Sequence, residues 1–200
     1  LGSGVSVAQL RDCQQGTSDH CQWDHDTDTG GALPPLPGAR FTGAKLALKG
    51  LRGEISPLTA ICGLLPQGQF DMAPFRQLVN TATAGKDWVN HPATWIMAVD
   101  TDSGKRIPFG KGGAPSATIA DAVCASYGVP FWCPPVTVAD RTYIDGGVAS
   151  PTSADLLADS AVDEVIVLAP MASRQPDQPR SPLMKIERRV RRYMTTIVDR

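Results

Sequence analysis

No apolar run in this 200-residue chain approaches the ~18 residues that a bilayer-spanning helix needs. No C-x-x-C pair is present, and the five cysteines (Cys13, Cys21, Cys62, Cys124 and Cys133) are odd in number and scattered. That excludes a disulfide framework and a zinc ribbon, and leaves reduced thiols in a cytosolic protein as the plainer reading. Neither sign of charge dominates: 19 basic residues face 20 acidic ones, for a formal net charge of -1. A globally basic nucleic-acid binder and an acidic disordered chain are both excluded. Collagen and heptad periods are missing, as are internal repeats. The chain opens at Leu1 with no basic-then-apolar leader before its first structured segment. The expected location is therefore cytoplasmic.

What is there is the composition of a folded domain: 42% hydrophobic, 20% charged and 19 glycines. The length suits one domain with a core of useful size. Proline, at 17 residues, exceeds the usual ~5%. Ser6 to Gln9 reads as a capping box and opens a short helix near 6–14. Residues 16–40 are polar and turn-rich, too long for an ordinary connection, and read as a loop or partly disordered insertion. Ser56-Pro57 starts a helix that stops before Pro66, and Asp71 is expected to cap the next. Residues 94–100 and Arg106–Phe109, around the turn Asp102-Ser103-Gly104, read as a hairpin. Ser116 is expected to begin a helix that Gly128 and Pro130 end. Val136–Val138 and Arg141–Ile144 form a second hairpin-like pair around Ala139-Asp140, and Ser153–Asp159 should be helical. Glu164–Ala169 reads as a strand buried on both faces of a parallel sheet. Residues 181–200 read as a basic amphipathic helix. Helices alternating with short apolar strands predict an α/β class with a mostly parallel sheet.

The most informative stretch is Tyr143-Ile144-Asp145-Gly146-Gly147-Val148. An aspartate ends a strand and two glycines follow, so a sharp turn through backbone angles open to glycine is expected to leave the carboxylate at the strand's carboxyl end. That end is where α/β sheets usually place ligands. The bland alternative is a plain Asp-Gly turn.

Around it stand Ala122-Val123-Cys124-Ala125-Ser126-Tyr127-Gly128-Val129-Pro130, then Pro134-Pro135-Val136, and downstream Asp163 to Val167. This order resembles the bacterial patatin-like phospholipase family, from about Trp95 to Pro170 and more weakly over Ser56–Val79. One departure is Gly128, where alanine is usual. The resemblance implies a three-layer α/β/α fold and lipid acyl hydrolysis by a Ser–Asp dyad, with no metal or cofactor. It makes Asp145 the general base and Gly146 and Gly147 the rest of its motif. It also implies a G-x-S-x-G nucleophile and a G-G-x-R-G oxyanion loop, and neither is found. Gly4-Val5-Ser6 and Gly16-Thr17-Ser18 lack the closing glycine, and Gly50-Leu51-Arg52-Gly53 comes in the wrong order and reads as a loop. Residues 1–200 are therefore expected to be one partial patatin-like domain, inactive alone, with the missing strands ahead of Leu1. A non-catalytic, patatin-derived module that binds lipid or protein is the alternative.

Other clusters carry less. His20, Cys21, Asp24, His25, Asp26 and Asp28 crowd a polar loop without the spacing of a rigid metal site, so no metal is assigned. Asp100 and Asp102 read as turn formers. His91 lies in a loop with no elbow serine to serve. Residues 180–200 hold seven basic and two acidic residues. A solvated face is the default; the functional reading is peripheral contact with an anionic membrane through Lys185, Arg188, Arg189, Arg191 and Arg192. The expected partner is a lipid or other ester, not nucleic acid.

Overall fold

The two hairpins expected from the sequence form, and they share one sheet. In the computed structural model, residues 4, 6–15, 17, 36–91, 93–158, 160–168 and 188 are described. They fall in two compact units, Leu1–Val148 and Ala149–Arg200.

In the first unit, strands β1 (Ile96–Asp100) and β2 (Arg106–Phe109) pair antiparallel, with Ile96 opposite Phe109. Strands β3 (Val136–Val138) and β4 (Arg141–Asp145) pair likewise, with Val136 opposite Tyr143. The turn between them places Ala139 and Asp140 at φ 44° and 65°. Two successive positive φ values match the strands' right-handed twist. Ala98 opposite Asp145 and Asp100 opposite Tyr143 join the hairpins, giving the order β2-β1-β4-β3. Every neighbour is antiparallel, which corrects the expectation of a mostly parallel sheet. Short turns make each hairpin antiparallel, and the register of β1 on β4 joins the two hairpins in the same sense.

Side chains alternate across the sheet. Ala98, Phe109, Val136, Val138 and Tyr143 share one buried cluster, where Phe109 and Tyr143 meet edge to face at 5.0 Å. Burying an aromatic or aliphatic side chain of this size contributes about 1.5–3 kcal/mol. Helix α5 (Ile119–Ser126) adds Ala122, Cys124 and Ala125 to the same cluster. On the opposite pleat Val99 and Ile144 are also buried, so both faces are covered.

Four more helices accompany α5 among the described residues. Helix α1 (Val7–Gln14) has its capping box: Ser6 Oγ accepts from the Gln9 N–H, and Gln9 Oε1 accepts from the Ser6 N–H. Helix α2 (Ala44–Leu51) packs on α3 (Pro57–Leu64), and a Cβ on Gly50 would lie 2.1 Å from that of Ala60. Ser56 caps α3 by accepting from the Thr59 N–H, and the helix stops before Pro66 as expected. Helix α4 (Ala73–Ala82) packs on α5, and the Arg76 guanidinium bonds the Asp121 carboxylate between them.

Several boundaries differ from expectation. Met72 is the residue before α4, although the Asp71 carboxylate still accepts from the Ala73 N–H. Thr118, not Ser116, caps α5, because its hydroxyl reaches the Asp121 N–H one turn in. In the second unit, the helix expected over Ser153–Asp159 is a short 3-10 turn at Ala154–Leu157, and Asp159 lies outside the described residues. Glu164–Leu168 is not a buried strand. It pairs with no strand among the described residues, and Ile166 and Leu168 are 79% and 88% exposed. An apolar run becomes a strand only when a neighbour offers a ladder, and none does among the described residues. Ala169 and residues 18–35 lie outside the described residues, as do residues 181–200 apart from Arg188, which is helical.

Candidate active site at the end of β4

Asp145 is the last residue of β4, and its backbone N–H donates to the Gly128 carbonyl at 3.0 Å. Strand β4 and the segment leaving α5 thus fix the residue together. A 3-10 turn, Gly146–Val148, follows at once. The Gly147 N–H donates to Asp145 Oδ1 at 2.8 Å, which sets the carboxylate's orientation. Thr59 Oγ1 donates to the Val148 carbonyl at 3.1 Å and ties the end of this turn to α3.

The glycines serve a purpose other than the expected one. Neither Gly146 nor Gly147 has a positive φ. Instead, a Cβ on Gly146 would lie 2.5 Å from the Met97 carbonyl oxygen of β1. Glycine is required because the turn passes close against a neighbouring strand's backbone. A Cβ on Gly147 would lie 3.2 Å from Asp145 Oδ1, crowding the carboxylate itself.

Burial raises the Asp145 pKa, and the Gly147 hydrogen bond opposes the shift only in part. Among the described residues no cation pairs with the carboxylate, and Oδ2 accepts no hydrogen bond. Its electrostatic neighbours are neutral. Burial pushes the Cys62 and Cys133 thiols up to about 11, and the Asp145 charge adds a smaller push to each. Burial also raises the Tyr127 phenol, with lesser contributions from Cys133 and Asp145. A carboxylate in such surroundings holds a proton more readily than a solvated one. Oδ1 is positioned by a backbone donor, and among the described residues Oδ2 has no hydrogen-bond donor.

Among the described residues no nucleophile elbow stands beside this carboxylate. Ser6 is an exposed helix cap before α1, and Ser18 lies outside the described residues. In the expected loop Gly50-Leu51-Arg52-Gly53, the first two residues close α2 and only the last two turn away from it. His91 is exposed, and its Nδ1 accepts from the Ala93 N–H. Among the described residues no three His, Cys, Asp or Glu side chains converge as metal ligands, and the cluster from His20 to Asp28 lies outside them. Among the described residues, too, no helix is long and apolar enough to cross a membrane. Of the basic set Lys185, Arg188, Arg189, Arg191 and Arg192, only Arg188 is described.

One feature of the sheet was not legible as more than a turn. Asp100 does hold the turn after β1, where Oδ1 accepts from the Asp102 and Ser103 N–H groups and from the Ser103 hydroxyl. It is also fully buried and bound by Arg141, with Nε 2.8 Å from Oδ2 and Nη2 donating to Oδ1 at 3.0 Å. Nothing in the local sequence links residues 41 positions apart; only the β1–β4 pairing does.

Residues 64–158, just under half of the chain, match the family described as Patatin-like phospholipase. The matched stretch contains all four strands, α4, α5 and Asp145. The match supports a family of lipid acyl hydrolases with an α/β fold and lipid substrates. No curated protein and no solved structure matches the chain.

Proposed function

We propose that this chain carries the base-bearing part of a patatin-like lipid acyl hydrolase, in which Asp145 takes the proton of a serine hydroxyl as that serine attacks an ester carbonyl. The observation that carries the reading is the Asp145 carboxylate: half-buried and, among the described residues, without a cation, held by one backbone donor and free at its second oxygen. A base of this kind needs a raised proton affinity and a clear approach. The sequence contains no G-x-S-x-G. The reading therefore assigns the nucleophile, and the oxyanion donors, to polypeptide outside residues 1–200. Membrane contact through Lys185, Arg188, Arg189, Arg191 and Arg192 belongs to the same proposal and predicts weaker binding to anionic vesicles when the four arginines become glutamine.

The test is fluorophosphonate labelling of the native protein, with intact mass and N-terminal sequencing of the labelled species. The expected result is one labelled serine outside residues 1–200, and ester turnover reduced about 10²–10⁴-fold by Asp145→Asn. Full turnover in Asp145→Asn would overturn the assignment of the base. The missing motif favours one second reading, a non-catalytic lipid- or protein-binding module. A native protein that begins at Leu1, takes no label and hydrolyses no ester would establish it.

A further inference from the structure

The turn that supplies the donor to Asp145 is held from two sides. On one side Gly146 lies against β1, where a Cβ would stand 2.5 Å from the Met97 carbonyl oxygen. On the other lies α3, through the hydroxyl of Thr59, a residue only 2% exposed. Cys62 follows one turn along the same face of α3, and its thiol feels the Asp145 charge. This face of the helix therefore stands beside the carboxylate.

The donor inventory fixes the direction of each bond. The Val148 carbonyl can only accept, so the single hydroxyl proton of Thr59 goes to it, at 3.1 Å. The Thr59 oxygen then accepts from Ser56 Oγ, 2.8 Å away. Ser56 Oγ in turn accepts from the Thr59 N–H at 3.1 Å and so caps α3. One chain of hydrogen bonds runs from the helix cap through Thr59 to the turn after β4, and each link polarises the next. The cap itself needs only the Thr59 backbone. Threonine is also among the weaker helix formers. What its hydroxyl adds is a bond to the Asp145 turn.

We propose that Thr59 is a positioning residue for Asp145: its hydroxyl pins the Gly146–Val148 turn to α3, so that the Gly147 N–H stays aimed at Oδ1 and the carboxylate keeps one orientation. The proposal rests on the hydrolase reading for its consequence in turnover, and on this geometry alone for its effect on the carboxylate. Thr59→Val keeps the branched shape and leaves the Val148 carbonyl without its donor. Thr59→Ser keeps the donor.

The experiment compares both variants with the parent by NMR of the 200-residue chain, following the Asp145 side-chain carboxyl and the Gly147 amide from pH 3 upward. In the parent the Gly147 amide proton should titrate with the carboxylate that it bonds. In Thr59→Val that proton should move upfield, and its titration amplitude should be roughly halved. The carboxyl midpoint should move to higher pH, because the hydrogen bond that lowers it is weakened. Thr59→Ser should restore both. If Thr59→Val fails to fold, Ser56→Asp is read in its place: its carboxylate still caps α3 and draws the Thr59 proton away from Val148, so the same upfield shift of Gly147 is expected. A folded Thr59→Val or Ser56→Asp with the parent's Gly147 shift would overturn the proposal, as would a Thr59→Ser that behaves like Thr59→Val. In the native protein, Thr59→Val should lower kcat for ester hydrolysis about 10–100-fold with KM nearly unchanged. The NMR changes in a native protein that hydrolyses no ester would uphold the role of Thr59 and remove the hydrolase reading. Turnover that depends on Asp145, with no NMR change in Thr59→Val, would do the reverse.

Discussion

Asp100 closes β1 and Asp145 closes β4, and because these strands are antiparallel neighbours the two carboxylates lie at opposite ends of one sheet. At the turn end, Asp100 is fully buried, accepts three donors from its own turn and is clasped by Arg141. At the far end, Asp145 has one backbone donor and, among the described residues, no cation. The first carboxylate is committed to structure: Oδ1 accepts from its turn and from Arg141, and Oδ2 faces the Arg141 guanidinium. The second is desolvated with one oxygen open, which is unfavourable for folding and useful for accepting a proton. Two strand-ending aspartates of one sheet thus differ in exposure and partners according to what else each strand end supplies.

The largest effect should come from Asp100→Ala. It leaves two N–H groups, a hydroxyl and the Arg141 guanidinium without their acceptor. With Arg141 itself half exposed, the expected loss is about 2–4 kcal/mol in chemical denaturation. A smaller loss than that of Asp145→Ala would reverse the comparison. Gly146→Ala comes next: its Cβ would collide with the Met97 carbonyl, so a loss of about 1–3 kcal/mol is expected, with β1–β4 amide shifts reporting the displacement.

Asp145→Asn should change stability by under about 1 kcal/mol at neutral pH, and in the stabilising direction. Here the folded pKa is raised above the unfolded one. The contribution of Asp145 is therefore fully present below the unfolded value of ~3.9 and is lost as pH rises through the folded value. Melting curves from pH 3 upward should show the parent losing stability relative to Asp145→Asn over that interval. A relative gain with rising pH would mean that an unseen cation pairs with Asp145. The smallest effect is at the Asp100 end, where Ala139 sits at φ 44°. Ala139→Gly relieves that conformation and should stabilise by up to about 1 kcal/mol, a small rise in melting temperature. A loss there would show that turn strain does not limit the Asp100 end.

Much of the first unit was legible because its signals are local. The capping hydroxyls of Ser6 and Ser56 act within one turn of the chain, and both hairpins carry turn residues between apolar runs. Strand direction misled because alternation of helices and strands was read as crossover topology, whereas β1 and β4 meet through two closed hairpins. The run Glu164–Leu168 misled because apolar composition states a preference for burial and not its fulfilment. Asp145 and its glycines were identifiable by order, but the reason for Gly146 was not, since the Met97 carbonyl that excludes a side chain is 49 residues away.

The sequence by itself determined which residues cap, turn and alternate, and that a carboxylate would end a strand just before two glycines, since those properties depend on neighbours within a few positions. Only the tertiary structure decided that Asp100 would be neutralised by Arg141 while Asp145, among the described residues, kept an oxygen without a donor. Both follow from strand register and helix packing, which bring together groups whose mutual distance no local pattern encodes.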